Sequence, residues 1–208
     1  MTAPLLWLGL AFGFRHALEA DHVAAVASLA TRAPLLRHTL RIAIVWGLGH
    51  ATTILVVGAL LFATGLRAPA AVAELLEATA GLLLMALGLD VLWRLRRLPA
   101  HPAGHTHGGL PPRRLGRAFV VGGVHGMAGS AALTVAVVPS LPSGVNALAY
   151  LALFGLGSIA GMAVCSVAIS LPLRAGAGVS MRAMRGSPWL VGAVSVALGC
   201  WVALRAAW

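Results

Sequence analysis

Six long apolar stretches divide this chain of 208 residues, and they constrain its fold more than any other feature. Each stretch is close to or above the roughly 20 residues that a helix needs to cross the hydrocarbon core of a bilayer. A mean hydropathy of +0.93 and a charged content of only 10% exclude an ordinary soluble domain. We therefore predict an all-α polytopic membrane protein with six transmembrane helices in a single domain. The stretches lie at about 4–30, 42–65, 72–95, 118–138, 145–173 and 188–207.

The basic residues indicate the orientation of the chain. All 15 are arginine, and the first, third and fifth connections hold most of them. Arginine-rich connections stay in the cytoplasm, so the odd-numbered connections are predicted to be cytoplasmic and both termini to lie outside a bacterial cytoplasmic membrane. The net charge of +10 is thus attributed to topology, and no nucleic-acid partner is expected. The arginines in the odd-numbered connections are Arg32, Arg37, Arg41, Arg94, Arg96, Arg97, Arg113, Arg114, Arg117, Arg174, Arg182 and Arg185.

The two halves of the chain resemble each other at three places, with offsets of 109, 108 and 111 residues. Each repeat holds an odd number of spans, so the halves would insert in opposite directions. Such a three-plus-three inverted repeat is typical of secondary transporters with a binding site near the bilayer midplane. The matching segments are 13–17 with 122–126, 46–50 with 154–158, and 86–88 with 197–199. The predicted repeats are residues 1–96 and 118–208, joined by a histidine-containing cytoplasmic loop at 97–117.

The first apolar stretch contains four ionisable side chains close together: His16, Glu19, Asp21 and His22. Such groups are costly inside a bilayer unless they are paired or line a cavity, and they usually mark a functional site. Imidazole and carboxylate together suit a divalent transition metal ion better than sodium or calcium. The segment therefore predicts a metal-ion site within the membrane.

Two geometries of this segment stay open from the spacing alone. In a regular helix, His16, Glu19 and His22 share one face, and Asp21 points away from it. In a locally unwound helix, His16, Asp21 and His22 could converge on one ion, as in the broken helices of transporters. Arg15 stands four residues before Glu19 and could neutralise it, which would favour Asp21 as the ligand carboxylate.

Further candidates lie elsewhere in the chain. His125 is the repeat equivalent of His16, and His50 lies at the position that corresponds to Ser158, so both are predicted ligands. Three histidines in the flexible loop, His101, His105 and His107, could bind metal loosely. Four other residues are candidates either for ligands or for hydrogen-bond partners of ligands: Glu19, Thr52, Met127 and Ser130.

The pattern His16-x4-Asp21-His22, followed by Leu48-Gly49-His50, resembles the nickel/cobalt transporter family. The segment 125–133, His-Gly-Met-Ala-Gly-Ser-Ala-Ala-Leu, is more similar to the shorter branch of that family, the urease-accessory-type nickel permeases. The resemblance implies permeation of Ni²⁺ or Co²⁺, with His16, Asp21, His22 and His50 essential. The chain differs from the long form of the family in having six predicted spans instead of eight.

The predicted function is a secondary transporter for Ni²⁺, with Co²⁺ as an alternative ion and uptake favoured over efflux. The metal ion is the substrate, and no other cofactor is expected. The chain shows no nucleophile elbow, phosphate loop or cofactor fingerprint, so an enzyme is not expected, although an intramembrane metalloenzyme is one rival hypothesis. The other rivals are an efflux protein and a metal-binding accessory or sensor subunit that does not transport. Sequence leaves the oligomeric state open.

Overall fold

The computed structural model describes residues 3–30, 35–65, 70–97, 112–128, 143–175 and 181–206. All regular secondary structure in these ranges is α-helical. The described ranges contain seven helices: α1 (Ala3–His16), α2 (Ala20–Ala30), α3 (Leu36–Thr64), α4 (Ala70–Arg97), α5 (Pro112–Ala128), α6 (Gly144–Ala175) and α7 (Met181–Arg205).

Four helices in the described ranges are long and apolar enough to cross a membrane: α3, α4, α6 and α7. The first apolar stretch is not one continuous helix, because it is divided into α1 with 14 residues and α2 with 11. At about 1.5 Å per residue, neither piece spans a hydrocarbon core of about 30 Å alone. The fourth stretch is described only as far as Ala128, in α5. The chain is thus a multi-pass helical membrane protein, and the count of six spans stays a prediction.

Large apolar side chains cover the outside of the bundle. Leu60, Leu75, Val145 and Leu190 are each more than 60% exposed, although they lie on the long apolar helices. A soluble protein rarely exposes contiguous apolar surface on this scale, whereas lipid tails solvate it well. The histidines of the described ranges are buried inside the bundle. This distribution is the one expected of helices embedded in lipid.

The helices pack as pairs between the first and second halves of the chain. Helix α1 packs on α6, α5 packs on α3, and α4 packs on α7, while α3 and α6 also contact each other. The short α2 touches α3, α4, α6 and α7. Because α2 follows directly on α1, the break between them lies at the centre of these packed pairs.

Glycines permit the close approach of two of these pairs. A Cβ atom on Gly13 of α1 would collide with the backbone of Phe154 on α6, and one on Gly122 of α5 would collide with the backbone of Trp46 on α3. Small residues at such crossings let membrane helices approach closely and gain van der Waals contact. They bring α1 and α5 close enough for their histidines to reach the interior of the bundle.

Candidate metal-binding site

The break between α1 and α2 places the first two histidines. Helix α1 ends at His16, and two of the amides that follow bond three residues back: Leu18 N–H donates to the Arg15 carbonyl at 2.9 Å and Glu19 N–H to the His16 carbonyl at 3.0 Å. Helix α2 then begins at Ala20. The tightened turn changes the side-chain directions that a regular helix would impose, so the helix is broken, as in the second of the two geometries left open by the sequence. His16 and Asp21 do not share one group of donor atoms, however, because each belongs to a different group that contains His22.

Three buried imidazoles meet at this break. His16, His22 and His50 are at most 1% exposed, and one ring nitrogen of each lies within 4.8 Å of those of the others. Their ring centroids are 4.3 Å apart for His16 and His22, 5.1 Å for His22 and His50, and 5.5 Å for His16 and His50. Two nitrogens bound to one ion at about 2.1 Å lie at most about 4.2 Å apart. Small side-chain movements would therefore bring all three onto one metal ion.

Two of these rings form a hydrogen bond with a carboxylate through their Nδ1 atom. The His16 Nδ1–H donates to Glu19 Oε2 at 2.9 Å, and the His22 Nδ1–H donates to Asp21 Oδ1 at 3.1 Å, which assigns the Nδ1–H tautomer to both rings. The Nε2 atoms of both rings are buried and have no hydrogen-bond partner. A carboxylate on one ring nitrogen that leaves the other free is the arrangement that orients histidine ligands of metal ions. Glu19 contacts His16 here and not Arg15, whose side chain is exposed.

A second group of donor atoms overlaps the first. Asp21, His22 and His125 also lie within 4.8 Å of one another, and Asp21 Oδ2 is 3.2 Å from His125 Nε2. The ring centroids of His22 and His125 are 4.5 Å apart, and those of His50 and His125 are 6.2 Å apart. His22 is thus common to an all-imidazole group and a group that contains a carboxylate.

Two aromatic side chains enclose the cluster, and sequence reasoning gave neither a role at the site. The ring of Trp46 lies 5.8 Å from that of His22 and 5.5 Å from that of His125, and Phe154 lies 5.5 Å from His16. Trp46 is fully buried. The sequence does indicate that Trp46 lies near the site, because it stands four residues before His50 and therefore on the same face of α3. These rings keep water from the imidazoles on that side.

Gly126 brings α5 against the cluster. A Cβ atom there would lie 2.6 Å from the His50 carbonyl oxygen and 3.1 Å from the His50 Nδ1. Any larger residue would therefore separate α5 from α3 at the level of His50. The glycine beside His125 is what allows that histidine to reach Asp21 and His22.

The remaining candidates do not join the cluster in the described part of the chain. The Thr52 side chain is exposed, so it points away from the buried rings, and Met127 is half-buried. Glu19 orients His16, and its side chain is 48% exposed. Ser130 and the loop histidines His101, His105 and His107 lie outside the described residues.

The chemistry of the cluster suits a borderline transition metal ion. Neutral imidazole nitrogens bind Ni²⁺, Co²⁺, Cu²⁺ and Zn²⁺, and a single carboxylate adds a harder oxygen donor without favouring Ca²⁺ or Mg²⁺. Asp21 and Glu19, if ionised, carry two negative charges, which match the charge of a divalent cation. That balance lowers the cost of holding the ion away from water.

The chain is similar to one characterised protein along most of its length. It is 26% identical over 178 residues to the urease accessory protein UreH of Bacillus sp. strain TB-90, and the match covers 81% of this chain and 77% of UreH. No family model matches the chain, and no solved structure matches it. The similarity to UreH supports the resemblance to the urease-accessory branch that the histidine motifs indicate.

Proposed function

We propose that the protein is a permease that carries Ni²⁺ across the cytoplasmic membrane, and that the histidine cluster binds the ion on its way. The observation that carries the proposal is the group of three buried imidazoles, two of them oriented by carboxylates, inside a helical membrane bundle. Buried ionisable groups in a membrane protein usually mark an ion pathway. The similarity to a urease accessory protein, together with the motif resemblance to nickel/cobalt transporters, directs the choice of ion to Ni²⁺, with Co²⁺ second.

The two overlapping donor groups favour passage over permanent storage. An ion held by Asp21, His22 and His125 can move to His16, His22 and His50 while it stays bound to His22. Each step would exchange ligands one at a time and never leave a bare dication in the bundle. A transported ion needs a site that binds well enough to desolvate it and weakly enough to release it.

The helix contacts support the proposed inverted repeat. Gly13 contacts Phe154, and Gly122 contacts Trp46. Gly122 is the repeat equivalent of Gly13, 109 positions further on, and Phe154 is the repeat equivalent of Trp46, 108 positions further on, so the repeat relates one contact to the other. Helices α1 with α6 and α3 with α5 are equivalent pairs under the same relation. In such architectures the halves rock against each other around a central site, which opens it to each side of the membrane in turn.

The proposal is tested by ion flux into proteoliposomes that contain a trapped metal-sensitive dye. We expect Ni²⁺ to enter with the unmodified protein and the initial rate to fall at least tenfold in His22→Ala and His50→Ala, because each change removes one of the clustered donors. His38→Ala is the matched control, since His38 is equally buried on α3 but is not among the clustered donors. We expect it to retain flux.

The same assay covers the rival ions and activities. Parallel runs with Co²⁺, Zn²⁺ and Mg²⁺ give the selectivity, and runs with and without a pH gradient report proton coupling. Flux from loaded vesicles outward, compared with flux inward, gives the preferred direction. Folded protein that binds Ni²⁺ but passes no ion would contradict a permease and leave a metal-binding accessory subunit.

A further inference from the structure

A cavity of about 260 Å³ adjoins the histidine cluster on one side. Its wall contains Glu19, Asp21 and Glu77, which are three of the five acidic residues in the chain. The remaining wall comes from small or apolar residues of α2, α4 and α7: Ala20, Ala80, Leu198, Trp201 and Val202. Among the described residues no arginine lines it. A partly open cavity with carboxylates on apolar walls concentrates cations, because its low-dielectric walls focus the field.

The inner end of this cavity is a part of the cluster itself. Asp21 lines the cavity with a side chain that is 20% exposed, and its two carboxylate oxygens contact His22 at 3.1 Å and His125 at 3.2 Å. The ring of His22 contacts Asp21 through Nδ1, and its Nε2 is completely buried and has no hydrogen-bond partner. A cation in the cavity thus meets Asp21 first and an unpartnered imidazole next.

The opposite end of the bundle has the opposite charge. There a cavity of about 100 Å³ lies over Leu29 and Ile42, and it is lined by the three arginines Arg94, Arg114 and Arg117. Arg94 is near the end of α4, whereas Glu77 lies in the second turn after its start. Arg94 forms an ion pair with Asp90 at 3.1 Å, but the three guanidinium groups together outweigh that carboxylate and repel a divalent cation, so that cavity is unsuitable as its approach to the cluster in this conformation.

We infer that the acidic cavity is the aqueous port through which the metal ion reaches the histidine cluster, and that Glu77 captures the ion at this port. The inference rests on the proposed permease function and adds the route and one residue to it. Glu77 is on α4, apart from the clustered donors, and its exposed carboxylate faces the same cavity as Asp21. It acts on the ion before the ion meets a ligand. By the distribution of arginines the port opens to the outer side of the membrane.

The chain offers a matched control in Glu74. It lies one turn before Glu77 on the same helix, it is also exposed, and it does not line the cavity. Glu77→Gln and Glu74→Gln therefore remove the same charge from nearly the same depth, but only the first removes it from the port. Glu77→Lys and Glu74→Lys reverse the charge in the same two places.

The test is the Ni²⁺ flux assay on all four variants, with Ni²⁺ concentration and ionic strength varied. We expect Glu77→Gln to lower kcat/KM several-fold and Glu77→Lys to lower it further, with kcat nearly unchanged, because the residue acts on capture alone. Raising the ionic strength from low to about 0.5 M should shrink these differences, since salt screens an exposed charge. The Glu74 variants should stay within about twofold of the unmodified protein.

The results of this assay distinguish a wrong port from a wrong permease function. Equal kcat/KM in the Glu77 and Glu74 variants, with flux intact in the unmodified protein, would overturn the port while the permease stands. A loss of kcat with unchanged KM in Glu77→Gln would also overturn it, because that pattern excludes a capture role. Absence of flux in the unmodified protein would instead remove the proposed function.

Discussion

Replacing Gly126 by alanine tests the helix contact that places His125 beside the other histidines. The added Cβ would lie 2.6 Å from the His50 carbonyl oxygen, whereas ordinary contact begins at 3.4 Å. Helices α3 and α5 would therefore have to separate by about 0.8 Å at this level. Metal–ligand distances vary by only about 0.2 Å around their preferred values. The substitution should thus detach His125 from the donor group that it forms with Asp21 and His22.

The expected magnitudes differ for folding and for binding. Overpacking a tight contact costs about 1–3 kcal/mol, and alanine in place of glycine in a helix returns up to about 1 kcal/mol. The net loss of stability is therefore small, and the protein should remain folded. Affinity for Ni²⁺ should fall at least tenfold, or about 1.4 kcal/mol, because one donor is lost. Calorimetric titration with Ni²⁺ in detergent, together with thermal unfolding, measures both quantities.

Gly116→Ala is the control for this experiment. Gly116 lies on the same helix α5, and a Cβ atom there would have nothing within 4 Å. The same substitution should leave Ni²⁺ affinity unchanged and stability equal or slightly higher, since only the helix-propensity gain remains. Wild-type Ni²⁺ affinity in folded Gly126→Ala protein would refute the reasoning, because it would mean that the α3–α5 contact does not set the position of His125.

Three further predictions concern the cluster and its support. Ni²⁺ binding should weaken in a calorimetric titration as the pH is lowered, because protons and metal ions compete for the same imidazole nitrogens and only the neutral ring binds metal; affinity that does not change down to the pH at which the protein unfolds would contradict imidazole ligation. Glu19→Ala should weaken Ni²⁺ binding about 10- to 100-fold by releasing the Nδ1 of His16, while Glu19→Gln, which keeps an acceptor oxygen, should have a smaller effect in the same titration. Ser195→Ala removes a buried hydroxyl 2.9 Å from that of Ser28, between α7 and α2, and should lower stability by about 0.6–1 kcal/mol in thermal unfolding without changing the selectivity of flux.

The apolar pattern was sufficient to predict where the long helices run. The predicted stretches at 72–95 and 145–173 fall within α4 and α6, and those at 42–65 and 188–207 largely coincide with α3 and α7. Length and apolarity fix these helices, because every backbone polar group in lipid must be bonded within its own segment. The division of the first stretch was not predictable in the same way. Away from the ionisable side chains beside the break both pieces are mostly apolar, so apolarity alone does not locate the end of α1. Helix α2 packs against four other helices, which are far away in the sequence or lie beyond it along the chain.

The roles of the two carboxylates depended on that break. A spacing of four residues pairs Arg15 with Glu19 on a continuous helix. Since α1 ends at His16, the spacing no longer applies, and the Glu19 carboxylate instead accepts a hydrogen bond from His16 at 2.9 Å. Asp21 in turn lies between His22 and His125. The sequence predicts that His16, Glu19, Asp21 and His22 belong to one site. Which carboxylate pairs with which imidazole depends on the geometry of the turn.

The two halves of the chain contribute unequal numbers of donor side chains to the cluster. His16, Asp21, His22 and His50 come from the first half, and only His125 among these five comes from the second. Ser158 occupies the position equivalent to His50, and its hydroxyl donates to the Gly13 carbonyl at 3.1 Å, so it fastens α6 to α1 and offers no metal donor.

Ser130 and Ala131 stand where the first half has Asp21 and His22, so the second half lacks that carboxylate and that imidazole as well. Helices of different halves pack most closely, among them α1 with α6 and α3 with α5, and Gly126 holds His125 beside His50. Movement of these pairs against each other during transport would therefore keep His50 and His125 together and change their distances from His16 on α1. An ion would then meet a different set of donor atoms in each conformation.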